Sequence, residues 1–261
     1  MNTYQSRLTT LIEQVGGRVD TPFVEDPGAM LVKSGETLTS SGSAILEQMH
    51  ISTEQNDTLR LAEFAARITY LAFPQSPESS QDAAAYHDRL RSLGHCSPYR
   101  LWHKSHVFFV AGCSIETSLE LVAHHEGTVA RLTSSRTHAM DEPLFRVQGS
   151  PVERARTREI ITAMLTARME RQLEGASENW NEFFNMTAPS DKVTALLIGM
   201  DFVDWHRTFI GRFDVHGVET EVREICARMR AQLEDVDEDK LILTEEEYYA
   251  LGNAAKQALP Q

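Results

Sequence analysis

A short run of β-branched and aromatic residues, S-H-V-F-F-V-A at positions 105–111, restricts the fold more than any other stretch because it predicts a strand. On either side, apolar residues recur at helical spacing, in Leu59–Ile68 before it and in Val152–Glu174 after it. Further strands are predicted at Ala29–Val32 and Pro143–Gln148. The sequence therefore predicts a mixture of helices and strands in which helices dominate.

Three further helices have recognisable ends. The first eighteen residues carry apolar side chains at helical spacing and stop at a Gly-Gly pair. A second helix, Asp82–Leu93, ends at Gly94, since glycine accommodates the left-handed backbone that follows many helices. A third, Cys113–Ala123, has Ser114 as its predicted N-cap.

Composition excludes several classes of function. The formal net charge of −13 argues against general nucleic-acid binding, which needs a basic face to displace counterions. Cys96, Cys113 and Cys226 lie far apart, so they indicate neither a disulfide framework nor a Cys-x-x-Cys metal site, and a reduced cytoplasmic compartment fits best. No apolar run approaches about 18 residues and no signal peptide begins the sequence, so neither membrane insertion nor export is predicted.

A compact group of donors follows a pair of histidines. Ser134 and Ser135 each donate a hydrogen bond, and Arg136 donates a two-pronged, permanently charged one. Such a group fits a phosphate, although a solvated loop would have the same composition. Any phosphate ligand of this acidic chain must be held by a few local arginines.

A metal site is the least favoured hypothesis for this stretch. Its ligands would be His124, His125, Glu126 and His138. Adjacent residues of a helix point about 100° apart, so the two neighbouring histidines do not readily chelate one ion. The spacings H-x-x-x-H and H-E-x-x-H are also missing, and no metal is predicted.

The sequence from 124 to 136, H-H-E-G-T-V-A-R-L-T-S-S-R, resembles the R-H-R-x-x-S-x-N-E-x-S-x-R-Y motif of the flavin-dependent thymidylate synthases. With His125 on the central histidine, Ser134 falls on the second serine and Arg136 on the last arginine. Two earlier segments are also similar to this family: A-A-R-I-T-Y at 65–70 resembles A-A-R-V-S-Y, and G-H-C-S-P-Y at 94–99 resembles G-H-x-S/T-P-F.

A fourth similarity lies near the C-terminus. The family pattern E-x-A-R-x-x-L-P-x-x-x-x-T-x-x-x-x-x-N-x-R-x-x-x-x-F-x-x-x-R is followed by E-I-R. The positions that match it in order are Glu182, Pro189, Thr194, Arg212 and Glu221-Val222-Arg223. The resemblance divides the chain into an N-terminal extension (1–58, with 19–43 loosely ordered), a family-like domain (59–233) and an acidic, helical C-terminal appendage (234–261).

The resemblance implies an α+β fold with a twisted, mostly antiparallel sheet flanked by helices. It also implies a homotetramer whose sites lie between subunits. Members bind FAD and carry a methylene group from methylenetetrahydrofolate to C5 of deoxyuridylate, with hydride from NADPH passing through the flavin. No side chain attacks the pyrimidine, so oriented arginines and the reduced flavin perform the reaction.

The resemblance also assigns residues to roles. Arg212 corresponds to a residue over the pyrimidine and is the one predicted catalytic residue. The predicted cofactor-binding residues are His95, His124, His125 and Arg207. The predicted substrate-binding residues are Arg131, Ser134, Ser135, Arg136, Asn185 and Arg212. For His95, a helix C-cap or a buried core histidine is the alternative role.

Departures from the family pattern bear directly on function. His124 and Glu126 replace the two arginines of R-H-R, and Asn185 replaces the arginine of E-x-A-R, whereas Arg131 replaces an asparagine and restores one positive charge. A carboxylate in place of a guanidinium turns attraction for a phosphate into repulsion, each about 4 kcal/mol for a contact pair near a surface. Two hypotheses follow: a divergent FAD-dependent methyltransferase acting on a (deoxy)uridylate-like nucleotide, or a catalytically lapsed nucleotide-binding or structural homologue without FAD.

Overall fold

The computed structural model describes residues 4–74, 83–123, 127–132, 143–173, 192–201, 204–205, 208–209 and 220–236. The described helices are α1 (Tyr4–Gln14), α2 (Ser40–Gln48), α3 (Asp57–Ile68), α4 (Ala83–Ser92), α5 (Ser97–Arg100), α6 (Ile115–Ala123), α7 (Pro151–Leu173) and α8 (Thr220–Val236). The described strands are β1 (Arg18–Asp20), β2 (Phe23–Asp26), β3 (Gly28–Ser34), β4 (Thr37–Leu38), β5 (His106–Ser114), β6 (Thr128–Arg131), β7 (Phe145–Arg146) and β8 (Val193–Met200).

The larger sheet has five strands in the order β4-β3-β5-β8-β6, and every neighbouring pair is antiparallel. A smaller sheet, β1-β2-β7, contains one antiparallel and one parallel pair. The α+β fold with a mostly antiparallel sheet is therefore confirmed. The predicted helices are confirmed as α1, α3, α4, α6 and α7, and the three predicted strands are β3, β5 and β7.

Strand β5 is the centre of the larger sheet, and all nine of its residues are buried. Val107 and Phe109 face a core formed with α1, α2 and α3, whereas Phe108 and Val110 face a second core formed with α6 and α8. Helices thus cover both faces of the sheet. This explains why the strand is a continuous apolar run without polar alternation.

A bulge at Gly112 changes which face the end of β5 presents. The pairing with β8 shifts between Ala111 and Cys113, and Gly112 has φ +86. Ala111 belongs to the first core and Cys113 to the second, although both would face the same side of a regular strand.

The prediction that residues 19–43 are loosely ordered is wrong. They contain β1 to β4 and the first residues of α2, and β3 pairs with β5 from Gly28 to Ser34. The Gly, Ser and Thr content of this segment serves close packing and capping. The Thr39 hydroxyl caps α2 by accepting from the amide of Gly42, whose Cα lies against the carbonyl of Val32 with no room for a side chain.

We expect Gly112→Ala to lower the free energy of unfolding by about 2 kcal/mol, because it adds positive-φ strain and a crowded Cβ. The added methyl would lie 3.1 Å from side-chain atoms of both Ile12 and Val24. Gly35→Ala is the matched control, since Gly35 has φ +59 with open space around it, and should cost about 1 kcal/mol. Urea unfolding measures both, and equal losses would contradict the crowding.

Candidate functional site

Two of the predicted site residues, His95 and Arg131, lie within the described structure. The others lie outside the described residues: His124, His125, Ser134, Ser135, Arg136, Asn185, Arg207 and Arg212. Glu126 and His138 of the metal hypothesis also lie outside them. The described part of the candidate site therefore consists of these two residues and of the elements that lead into the remaining positions.

Arg131 is the last residue of β6, at the edge of the larger sheet, where it pairs with Leu196 of β8. Its half-buried guanidinium donates from Nη1 to Oγ of Ser118, 3.3 Å away on α6. In the sequence, α6 ends directly before residues 124–126 and β6 begins two residues after them. The stretch Thr133 to Arg136 begins two residues after Arg131. The contact therefore ties together the two elements from which the predicted cradle extends.

A buried carboxylate holds the neighbouring elements together. Glu221, in the first turn of α8, is fully buried and accepts from Nε of Arg146 at 2.8 Å. It also accepts from the Thr117 hydroxyl at 2.6 Å and from Nε2 of Gln148 at 3.1 Å. The backbone amide of Ser114 completes the set at 3.3 Å. Because β5, α6, β7 and α8 each border this carboxylate, their relative positions depend on it.

The Arg146 guanidinium also donates hydrogen bonds to backbone carbonyl groups. Its Nη1 donates to the carbonyl oxygens of Val24, Glu25 and Val147. Sequence reasoning matched Glu221 to the family motif but missed Arg146. The available signal was an arginine inside the apolar run L-F-R-V, because a buried guanidinium requires a paired carboxylate.

Ser114 is confirmed as the N-cap of α6. Its Oγ accepts from the backbone amide of Thr117 at 3.1 Å, and Thr117 and Ser118 in the first turn of the helix are buried. The cap and the buried carboxylate therefore hold the same helix start. Helix α6 leads from that point to residue 123, directly before the His-His-Glu sequence.

His95 projects from the end of α4. The amide of Gly94 donates to the carbonyl of Arg91 and that of His95 to the carbonyl of Leu90, both at 2.9 Å, and Gly94 has φ +74. This is the Schellman arrangement that satisfies the last carbonyls of a helix. The backbone of His95 is part of the helix end, but its imidazole is exposed, which excludes a buried core role.

A chain of short hydrogen bonds lies behind the turn that carries His95. Tyr99 Oη is 2.7 Å from Nδ1 of His87, and Nε2 of His87 is 2.7 Å from Oε1 of Gln55. Gln55 Nε2 donates to Oε2 of Glu63 at 2.6 Å, and Arg67 pairs with Oε1 of Glu63 at 2.6 Å. The chain joins α5 and α4 to α3, and so connects the G-H-C-S-P-Y and A-A-R-I-T-Y segments.

Burial shifts the pKa values of two side chains in this hydrogen-bonded network. Burial lowers the pKa of His87, against the opposing effect of Glu63 and with the help of Arg91. Burial also raises the pKa of Tyr99, which Arg91 partly offsets. Both side chains are therefore neutral near pH 7.

Within the described ranges, no helix is both long and apolar enough to cross a bilayer. The same residues contain no group of three or more His, Cys, Asp or Glu side chains that would hold a metal ion. None of the three cysteines forms a disulfide with another residue in the described part of the chain. A cytoplasmic location stays a prediction.

The described elements form an α+β protein in which helices cover both faces of a mostly antiparallel sheet and Arg131 lies at the edge of that sheet. The chain belongs to the family described as Thy1, thymidylate synthase complementing protein, whose model matches residues 50–237. This membership confirms the resemblance to the flavin-dependent thymidylate synthases. It supports a nucleotide methyltransferase-like function.

Solved structures similar to this chain include the UMP/dUMP methylase PolB from Streptomyces cacaoi, bound with 5-Br UMP in one structure and with 5-Br dUMP in another. Each has 13% sequence identity and a TM-score of 0.43 and covers 82% of this chain. The shares of those chains covered are 91% and 92% respectively. No curated protein matches this sequence.

We expect Glu221→Gln to lower the free energy of unfolding by about 3 kcal/mol, because it leaves the Arg146 guanidinium buried without its charged partner. Glu224→Gln is the matched control on the same helix. Glu224 lies 3.6 Å from the same guanidinium but is 47% exposed, so its loss should cost less than about 1 kcal/mol. Urea unfolding monitored by tryptophan fluorescence compares the two, and similar losses would contradict the central role of Glu221.

The lowered pKa of His87 predicts a pH dependence of stability. Below its ordinary value of 6.5 the unfolded chain binds a proton that the folded chain does not. The free energy of unfolding should therefore fall as pH decreases from 6.5 towards the folded pKa, by up to about 1.4 kcal/mol per pH unit. His87→Gln should flatten this slope, whereas His103→Gln, at an exposed histidine, should not. An unchanged slope in His87→Gln would contradict the assignment.

Proposed function

We propose that this chain is a divergent FAD-dependent thymidylate synthase-like methyltransferase that acts on a (deoxy)uridylate-like nucleotide. The observation that carries the proposal is the half-buried Arg131 guanidinium at the sheet edge, which donates to Ser118 and precedes Thr133 of the predicted cradle by two residues. In a chain with a net charge of −13, a guanidinium oriented in this way is a local attractor for a phosphate.

The substrate would bind through Arg131, Ser134, Ser135, Arg136 and Asn185. Arg212 would lie over the pyrimidine ring and withdraw charge from it, which makes it the catalytic residue in the proposal. The arginines and hydroxyls orient the nucleotide by charge-assisted hydrogen bonds and supply no nucleophile.

FAD would be held by His95, His124, His125 and Arg207. The exposed imidazole of His95 fits this role, since the ring lies at the surface and the backbone is fixed by the end of α4. Bound FAD supplies hydride transfer, and NADPH and methylenetetrahydrofolate belong to the reaction only where the family chemistry is retained.

The alternative function is a catalytically lapsed nucleotide-binding or structural homologue without FAD. The replacement of the R-H-R arginines by His124 and Glu126 favours it, because a carboxylate there repels the cofactor phosphates. The two functions differ in flavin content. Purified protein that carries FAD, or takes it up on titration, absorbs visible light as flavoproteins do. A colourless protein that takes up no FAD overturns the enzyme and favours the lapsed homologue.

A homo-oligomer, a tetramer by family resemblance, is part of the proposal. Helix α7 supports it with exposed apolar side chains: Val152 is 78% exposed, Ile160 54% and Met169 64%. The same helix packs through Ile161 against Phe23 and Phe145 of the smaller sheet. A second copy would cover exposed apolar side chains of α7.

We expect Arg131→Gln to weaken binding of deoxyuridylate about tenfold, since a charge-assisted hydrogen bond to phosphate is replaced by a neutral one. Arg156→Gln, at an exposed arginine of α7, removes the same charge elsewhere and should leave the affinity unchanged. Isothermal titration at low and moderate salt measures both variants, and the loss should shrink at higher salt. Equal affinities for wild type and Arg131→Gln would refute the phosphate-binding role of Arg131.

A further inference from the structure

In the hydrogen-bonded chain of side chains from Arg67 to Tyr99, the chemistry of each group decides which member donates and which accepts at each contact. Arg67 has only donors and an ionised carboxylate has only acceptors, so the ion pair fixes Glu63 as an acceptor at both oxygens. Gln55 must then present its amide NH₂ to Glu63, as the 2.6 Å contact with Nε2 shows. Its carbonyl oxygen is left facing His87.

The same reasoning fixes the tautomer of His87. Oε1 of Gln55 can only accept, so Nε2 of His87 must carry the proton at this 2.7 Å contact. In the neutral ring Nδ1 then has a lone pair, and the Tyr99 hydroxyl must donate to it across 2.7 Å. One arrangement of protons thus runs from the ion pair to the tyrosine.

Aromatic contacts support the geometry of the chain. The Tyr86 ring packs edge-on against His87 with centroids 6.0 Å apart, and the Arg67 guanidinium lies 4.1 Å from the centroid of Tyr86. His87 itself is 2% exposed. Because water is largely excluded, an unmade hydrogen bond at this point would leave a polar group without a substitute partner.

The chain ends at the turn that presents His95. Tyr99 is in α5, in which Pro98 is buried, and Cys96 separates His95 from the start of α5. The helix-end hydrogen bonds described above also hold this turn, because they fix the backbone of Gly94 and His95 to α4. The His87–Tyr99 hydrogen bond links α4 to the far side of the same turn, where Arg91 of α4 also lies over the Tyr99 ring, 5.7 Å from its centroid.

We propose that His87 is a positioning residue, which in its Nε2–H tautomer transmits the orientation set by the Arg67–Glu63 ion pair to Tyr99 and so fixes the turn that presents His95. The importance of this turn for a flavin rests on the proposed function. The positioning itself is a property of the chain without any ligand. His87 and Tyr99 touch no substrate in the proposal and act through the placement of His95.

The test is hydrogen exchange of the flavin-free full chain, read by mass spectrometry over peptides that cover residues 94–100. Tyr99→Phe removes one hydroxyl and keeps the ring, so we expect exchange in this segment to rise about fivefold, while peptides of β5 and β8 stay unchanged. His87→Phe should have the same local effect. His87→Gln, which keeps a donor and an acceptor, should restore part of the protection.

Tyr70→Phe is the matched control, since Tyr70 is an exposed tyrosine at the end of the A-A-R-I-T-Y segment. It should leave exchange at residues 94–100 as in the wild type. Nitrogen NMR of the His87 ring adds a readout that simple packing would not determine: Nε2 should be protonated and Nδ1 should not. Wild-type exchange in Tyr99→Phe, or a proton on Nδ1 of neutral His87, would overturn the positioning role.

The test of the positioning role of His87 can fail or succeed independently of the test of the proposed function. A chain that takes up no FAD overturns the enzyme, yet the exchange and NMR results still decide the role of His87. In a chain that takes up FAD, Tyr99→Phe should weaken FAD binding about fivefold, whereas Tyr70→Phe should not. Unchanged FAD affinity in Tyr99→Phe would overturn the link between this turn and the flavin.

Discussion

The ion pair between Glu221 and Arg146 is the interaction on which the rest of the structure depends. Both side chains are almost fully buried, and a buried charge is tolerated only when its partners are in place. Glu221 comes from the start of α8, Arg146 from β7, and their further partners from β5 and α6. The smaller sheet and the helices on one face of the larger sheet are joined at this point.

The second buried network works on the other face of the sheet. Arg67 and Glu63 lie on α3, which packs against the first core through residues such as Phe64. From there the contacts reach outward to Tyr99, near the surface. One network therefore orders the elements that lead into the predicted substrate cradle, while the other orders the turn carrying His95. The elements that lead into the predicted substrate cradle and the turn that carries His95 are thus held by polar contacts on opposite faces of one apolar sheet.

Local patterns in the sequence were sufficient for the elements with strong periodicity or clear ends. Helix α3, the N-cap Ser114 and the buried run of β5 are predicted from residues close together in the chain. Strand β3 was predicted, whereas β1, β2 and β4 were not, because these strands are too short to show a local pattern and are defined by pairing with one another, with β7 or with β3. Motif comparison found the family, whereas composition and spacing alone would have left it open.

Side-chain partners far apart in the sequence were the least predictable part of the site. Glu221 and Glu224 are three residues apart on one helix and look alike in the sequence, but only the first is fully buried against Arg146. His87 looks like any helical histidine until Gln55 and Tyr99 are seen beside it. Such roles follow from tertiary contacts, which a single sequence does not encode in any local pattern.

The bulge at Gly112 sets which side of β5 carries each residue after it. In a regular ladder without the bulge, Cys113 would turn towards the first core, and the pairing of Cys113 and Ser114 with β8 would slip by one residue. The Ser114 amide and hydroxyl, which bind Glu221 and cap α6, would be displaced with it. Homologous chains with this architecture should therefore keep the extra residue in the central strand, while their loops accept insertions and deletions.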